Sequence, residues 1–382
     1  KQEPGILDLL KQRLVSDDSW LLRCEAVEQI ATGWKHEPGI LDLLKQRVVS
    51  DDSWLLRCEA LEQIATGWKH ESGILDLLKQ RLVSDDSWLL RGLVVNQIAT
   101  GWKHEPGILE LLKQRVVSDD NMFVRGEALE QIATGWKHEP GILELLKQWV
   151  VSDENWDVRR EAVKQIATGW KYEPGILELL KQRVVSDESW LVRRGVLQQI
   201  ATAWKHEPGT FELFKQRVVS DESWLVRGGA VRQIATGWKQ EPGTFELLKQ
   251  WVVSNESSDV RCEALEQIVT GWKQEPGIFD LLKQTVVSDQ SSDVRREALE
   301  QIVTGWKQEP GTFELFYNSA LNDPFERKYE FETNPRQTAL EAIVKQYPDH
   351  PQTLPLLQNR AENDPDEKLQ KWAKRKLEQY TT

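Results

Sequence analysis

Apolar residues recur along this chain with two superimposed periods. Within stretches such as ILDLLKQRVV (40–49) and WLLRCEALEQIATGW (54–68) they fall every third or fourth residue, the spacing of one helix face. Over a longer distance the whole pattern returns every 34 residues. Nine segments begin at Lys1, Lys35, Lys69, Lys103, Lys137, Lys171, Lys205, Lys239 and Lys273 and close on Trp34, Trp68, Trp102, Trp136, Trp170, Trp204, Trp238, Trp272 and Trp306. A tenth, 307–347, is seven residues longer and carries Tyr347 in the tryptophan slot; an eleventh, 348–382, has drifted furthest. A fixed period of this size marks a stacked array in which each unit buries its apolar face against its neighbours.

Each repeat predicts two helices of roughly 12 and 15 residues with tight turns, which leaves no room for a strand. The first follows "EPG", with Glu37 as cap and Pro38 at the first helical position. For the second, Asp364-Pro365-Asp366-Glu367 reads as cap, proline and a nearby glutamate, so Asp17, Asp51 and Asp85 are the expected caps upstream. Gly33 and Gly67 close that helix at a place suited to left-handed backbone. The expected fold is all-α, a right-handed α-solenoid of about eleven two-helix repeats. It divides into nine near-identical repeats (1–306), a tenth with an insertion (307–347) and a divergent capping repeat (348–382).

Numbered from its lysine, each repeat keeps positions 22, 26, 27, 30 and 34 apolar or small, as Val192, Val196, Leu197, Ile200 and Trp204 show; these share one side of the second helix and predict the core. Positions 20, 21, 24, 25 and 28 gather on the opposite side, and there the copies differ. The octet SDDSWLLR (16–23, 50–57 and 84–91) puts Trp-Leu on that outer side. Position 20 is Trp20, Trp54, Trp88, Met122, Trp156, Trp190 and Trp224 in the first seven repeats, then Ser258 and Ser292; Phe123 takes position 21 in repeat four. Exposed apolar side chains of this size forgo roughly 1.5–3 kcal/mol each, so their repetition predicts a covering partner. The alternative is that each indole folds over the next turn and seals the stack. Arg160, Lys164, Arg194 and Arg232 accompany Trp156, Trp190 and Trp224, and this pairing of residue types predicts an acidic or mixed apolar–acidic protein or peptide at repeats five to seven. Gly195, Gly228 and Gly229 on the same helices leave room for it.

The segments SDQSSDVRREAL (288–299) and SNESSDVRCEAL (254–265) carry the Asp and the D-x-x-V-R-x-x-A signature of short HEAT-type repeats, which this chain resembles throughout. That resemblance implies a ladder in which the Arg23 series bonds the Asp17 series of neighbouring repeats. HPQTLPLLQNRAENDPDEKLQKWA (350–373) with the recurring GWK-x-EPG further resembles the C-terminal arrays of bacterial, especially cyanobacterial, NACHT-type STAND ATPases. It implies a cytoplasmic sensor domain whose ATPase or other effector would lie upstream, an expectation shared with the opening at Lys1 in mid-pattern.

Composition narrows the classes. Sixty-one acidic against 49 basic residues, net −12, argue against nucleic-acid or anionic-membrane binding. No apolar run reaches the roughly 20 residues of a membrane span. The three cysteines are too few for a disulfide framework; Cys24 and Cys58 sit one repeat apart, out of bridging range. The six histidines fall mostly one to a turn and form no zinc-ligand spacing, so neither cofactor nor metal is expected. Trp149 and Trp251 replace the usual arginine of position 13 and suit packing. The function expected is non-enzymatic recognition through the varied face, with a self-associating scaffold as the alternative. A HEAT-like DNA glycosylase would need a basic groove, and a HEAT-like bilin lyase would need a pigment.

Overall fold

The computed structural model describes residues 4–381, and among them every regular element is helical. It divides into two compact units, Lys1–Arg183 and Val184–Thr382. In the first unit the first helices of the repeats are α1 (Pro4–Ser16), α3 (Ile40–Ser50), α5 (Ile74–Ser84), α7 (Ile108–Ser118) and α9 (Ile142–Ser152). The second helices are α2 (Trp20–Gly33), α4 (Trp54–Gly67), α6 (Trp88–Gly101), α8 (Met122–Gly135) and α10 (Trp156–Gly169). Helix α11 (Ile176–Ser186) spans the boundary. The second unit alternates α12 (Trp190–Ala203), α13 (Thr210–Ser220), α14 (Trp224–Gly237), α15 (Thr244–Ser254), α16 (Ser258–Trp272) and α17 (Ile278–Ser288). It ends with α18 (Ser292–Gly305), α19 (Thr312–Asn322), α20 (Pro335–Gln346), α21 (Thr353–Asn363) and α22 (Glu367–Thr381).

Second helices pack on the first helix of their own repeat, as α4 does on α3 and α14 on α13, and on the second helix of the next repeat, from α2 to α10 in the first unit and from α12 to α20 in the second. The buried set follows the expected register: Leu56, Ala60, Leu61 and Ile64 on α4, Trp68 just past its end, and Ile40, Leu44 and Val48 on α3. Repeat one departs from it, with Ile6, Leu9 and Leu22 exposed. Of the closing tryptophans, Trp68, Trp136, Trp170, Trp204 and Trp238 are buried in the core, and Trp34, Trp102, Trp272 and Trp306 are half-buried. Trp68 is 8% exposed, and Lys35, from the other end of the same repeat, lies 5.8 Å over its ring. In the second unit Trp238 fits between Phe211 and Phe214 at 5.5 and 5.1 Å.

The caps differ from the sequence reading. The first helices of repeats two to ten start one residue after a glycine held left-handed, Gly39 at φ 84° being the first of nine such glycines from Gly39 to Gly311. Glu37 and Pro38 therefore belong to the turn, where the Glu37 N–H donates to the Trp34 carbonyl at 2.9 Å. A Cβ would strain this backbone, and that is why the turn ends in glycine. Gly33 and Gly67, expected to be left-handed, are instead the last helical residues. Ser53, not Asp51, is the cap of α4; Asp51 folds the preceding turn by accepting the Ser53 N–H at 3.0 Å. At α22 the carboxylate of Asp366, not Asp364, accepts the Lys368 N–H in the first turn at 3.0 Å.

That aspartate has a second task, because it also receives the arginine of the preceding repeat. Arg23 reaches Asp51 at 3.0 Å, Arg57 reaches Asp85 at 2.9 Å, and Arg91 grips Asp119 through two nitrogens at 3.1 and 2.9 Å. In the second unit Arg193–Asp221, Arg261–Asp289, Arg295–Asp323 and Arg336–Asp364 repeat the fork. The fork is missing where Asn255 replaces the aspartate: Arg227 turns to the Ser257 hydroxyl at 3.1 Å and the Asp259 carboxylate at 3.5 Å. Asn255→Asp is expected to stabilise the array by about 1–2 kcal/mol at pH 7 through a charge-assisted fork. Urea melts at pH 7 check this; equal stability of parent and variant would refute it.

Candidate binding face on the second helices

The outer side of the second helices is laid down by the register above, since burial of positions 22, 26, 27 and 30 turns positions 21, 24, 25 and 28 outward and leaves position 20 at the edge of that side, at the helix start. In the first unit Trp20, Trp54 and Trp88 are 46, 39 and 39% exposed, Phe123 is 57% exposed, and Trp156 is half-buried. The Trp88 and Phe123 rings stack at 5.1 Å across the gap between α6 and α8. In the second unit Trp224 is 55% exposed and Trp190 half-buried. The indoles thus stand at the surface, where the eighth and ninth repeats place Ser258 and Ser292.

Three of the four cations expected to attract an acidic partner are already occupied. Arg160 lies 5.6 Å over the Trp156 ring and 3.3 Å from Asp157, whose carboxyl is pushed up by burial against the pull of Arg160. Lys164 contacts Glu161 at 3.0 Å and Glu130 at 3.5 Å; burial opposes its charge, yet these glutamates hold its ammonium above the usual value. Arg232 forks onto Glu263 at 3.0 and 2.9 Å, and those hydrogen bonds raise its guanidinium further. Arg194 is the exception: it is exposed, and its stem packs over Gly229. The space beside Gly228 and Gly229, expected to be open for a ligand, is lined instead by Glu263 and Arg194 side chains. A cleft of about 200 Å³ remains there between Trp224 and the carboxylates of Asp259, Glu263, Glu266 and Glu297. Its lining has more negative than positive groups, so charge at this place does not favour an acidic ligand.

The family model for HEAT repeats matches residues 211–303. Arg261–Asp289, the inter-repeat fork inside that match, is the bond seen again at Arg57–Asp85 and Arg91–Asp119. The chain carries HEAT repeats in a tandem helical array. Among curated proteins none matches its sequence. The array is similar to YibA of Escherichia coli, at 18% identity over 77% of this chain and 98% of that one, with a TM-score of 0.41. It is also similar to the karyopherin Kap121p bound to the extreme C-terminus of the protein phosphatase Cdc14p, at 12% identity over 97% of this chain and a TM-score of 0.48. A third likeness is to Kap95p with RanGDP, at 13% identity, 97% coverage and a TM-score of 0.45. The HEAT array spans 45 and 49% of those two karyopherin chains. At these identities and scores no partner or activity is carried over.

One surface row escaped the sequence reading. Position 15, from Val15 to Val287, is valine in all nine regular repeats and 51–75% exposed, at the end of the first helix. The signal was present: position 14 is the buried one, and the next residue on a helix lies about 100° away. In repeat nine Thr285 stands where other repeats have arginine or tryptophan, and a cleft of about 290 Å³ opens beside Arg261 and Asp289. Trp149 and Trp251 at the equivalent place are buried. The thiols of Cys24, Cys58 and Cys262 are free; burial, with nearby carboxylates, pushes them up to about 11, 12 and 12, so they are protonated and unreactive at neutral pH. Among the described residues no cluster fit for a metal occurs, and no helix is long and apolar enough to cross a membrane.

Proposed function

We propose that this HEAT array is a scaffold that recognises a protein or peptide through the outer face of its second helices. One observation carries the reading: at least one large apolar side chain of positions 20 and 21 is exposed in each of repeats one to four and seven, namely Trp20, Leu21, Trp54, Trp88, Leu89, Phe123 and Trp224. Repeats eight and nine stack on the same plan with serine and aspartate there, so the stack does not require them. What folding does not need, and water disfavours, suits a contact surface. The C-terminal segment 350–373 and the GWK-x-EPG turns support placing the array as the sensor part of a STAND-type signalling or defence protein.

The test substitutes Trp20→Ser, Trp54→Ser and Trp88→Ser together, since Ser258 and Ser292 show that serine is tolerated at this position. Capture of partner proteins from a lysate of the source cells, quantified by mass spectrometry, is expected to fall roughly tenfold or more. A companion chain with Val49→Ser, Val83→Ser and Val117→Ser on the first helices is expected to capture as the parent does. Equal capture by all three chains refutes the second-helix face. Sedimentation at rising concentration tests the second reading, favoured by the length of the apolar row: if the parent assembles and the tryptophan variant stays monomeric, the row is a self-association surface.

A further inference from the structure

We infer that the second-helix face of repeats one to four binds a cationic amphipathic helix of about 18 residues from another protein, an inference that rests on the recognition reading and adds the chemistry of the partner. The face has an apolar row, made by Trp20, Trp54, Trp88, Leu89 and Phe123, all exposed. On one side, exposed Asp18, Asp52, Asp86 and Asp120 lie in the turns that precede these helices. On the other, α2, α4 and α8 carry Glu25, Glu28, Glu59, Glu62, Glu127 and Glu130.

Positive charge on these helices is accounted for. Each of α2, α4, α6 and α8 contains a single basic residue: Arg23, Arg57, Arg91 and Arg125 in turn. The first three point into the inter-repeat forks on Asp51, Asp85 and Asp119, and Arg125 donates to the Asp119 carbonyl. Arg57 and Arg91 also reach Asp86 and Asp120, which leaves Asp18, Asp52 and most of the glutamate row uncompensated. Glu130 alone in that row meets a lysine, Lys164 of repeat five at 3.5 Å. An apolar strip bordered by acid on both sides complements a helix with one leucine-like face flanked by lysine or arginine. Four packed helices at about 8–10 Å spacing span roughly 25–30 Å, the length of about 18 helical residues.

The experiment uses the full chain and two fluorescein-labelled 18-residue probes, one of leucine and lysine at helical spacing, the other of leucine and glutamate. Fluorescence anisotropy is expected to show binding of the lysine probe, weakening steeply with salt, and no saturable binding of the glutamate probe. Glu28→Lys, Glu59→Lys and Glu62→Lys together are expected to raise its Kd at least roughly 30-fold, whereas Glu266→Lys with Glu300→Lys in the second unit leaves it unchanged. Circular dichroism of each variant checks folding; Glu28 and Glu62 are exposed and Glu59 is half-buried. If both probes bind alike, or the triple reversal has no effect while Trp20→Ser, Trp54→Ser and Trp88→Ser abolish binding, the cationic inference falls and the apolar face remains. If the tryptophan variant also binds as the parent does, both fall. Self-association that the lysine probe does not displace would make the occupant a second copy and overturn the inference as well.

Discussion

Asp119→Ala is expected to destabilise the array by about 3–5 kcal/mol, the range for removing one partner of a buried ion pair. Asp119 is 5% exposed and accepts both the Arg91 fork and the backbone N–H of Asn121 at 3.0 Å. Its loss leaves Arg91, itself 7% exposed, without its main counter-charge and unties the turn into α8. Arrays melt locally as well as globally, so the damage should be concentrated. Hydrogen exchange is expected to accelerate most in α6, α7 and α8, and urea unfolding to shift to lower midpoint. Asp119→Asn should cost less, because Asn255 keeps the turn in repeat eight, where its side chain accepts the Ser257 N–H at 3.0 Å. A loss under about 1 kcal/mol for the alanine variant would show that the ladder decorates the stack without joining it.

Trp238→Ala carries an expected cost of about 3–5 kcal/mol as well, through a cavity that neighbouring side chains cannot close. Its ring is 5% exposed and packs on Phe211 and the fully buried Phe214. Trp224, fourteen residues earlier in the same repeat, is 55% exposed, and Trp224→Ser should cost under about 1 kcal/mol. Thermal unfolding of the two variants side by side therefore separates the structural tryptophans from those of the face. Equal destabilisation would mean that the outer indoles seal the stack after all.

The outward side of the second helices was legible from spacing, because positions 20, 21, 24, 25 and 28 together centre away from positions 22, 26, 27 and 30, although position 20 stands at the edge of that side, about 40° from position 34 on a helix wheel. The caps were not. Glu-Pro-Gly and Asp-x-Ser each offer two residues able to start a helix, and the choice went to the local turn: Gly39 takes the left-handed backbone, and Asp51 folds the turn before Ser53. Charge on the face was the harder matter. Whether Arg232 is free depends on Glu263, 31 residues on, and the fate of Lys164 depends on Glu130, 34 residues back. Such partners come from adjacent repeats, and a reading within one helix does not see them. The break at Asn255, by contrast, could have been found by aligning the copies with one another, since it alone among positions 17 of the regular repeats is not aspartate.

Because every fork spans 28 residues and its aspartate also folds the turn of its own repeat, adjacent units join through interchangeable couplings. Unequal crossing-over of the gene by one period would delete or duplicate a unit while handing each arginine a partner of the same kind. Length, and with it the number of outward tryptophans, can thus change in one genetic step without any new interface having to evolve.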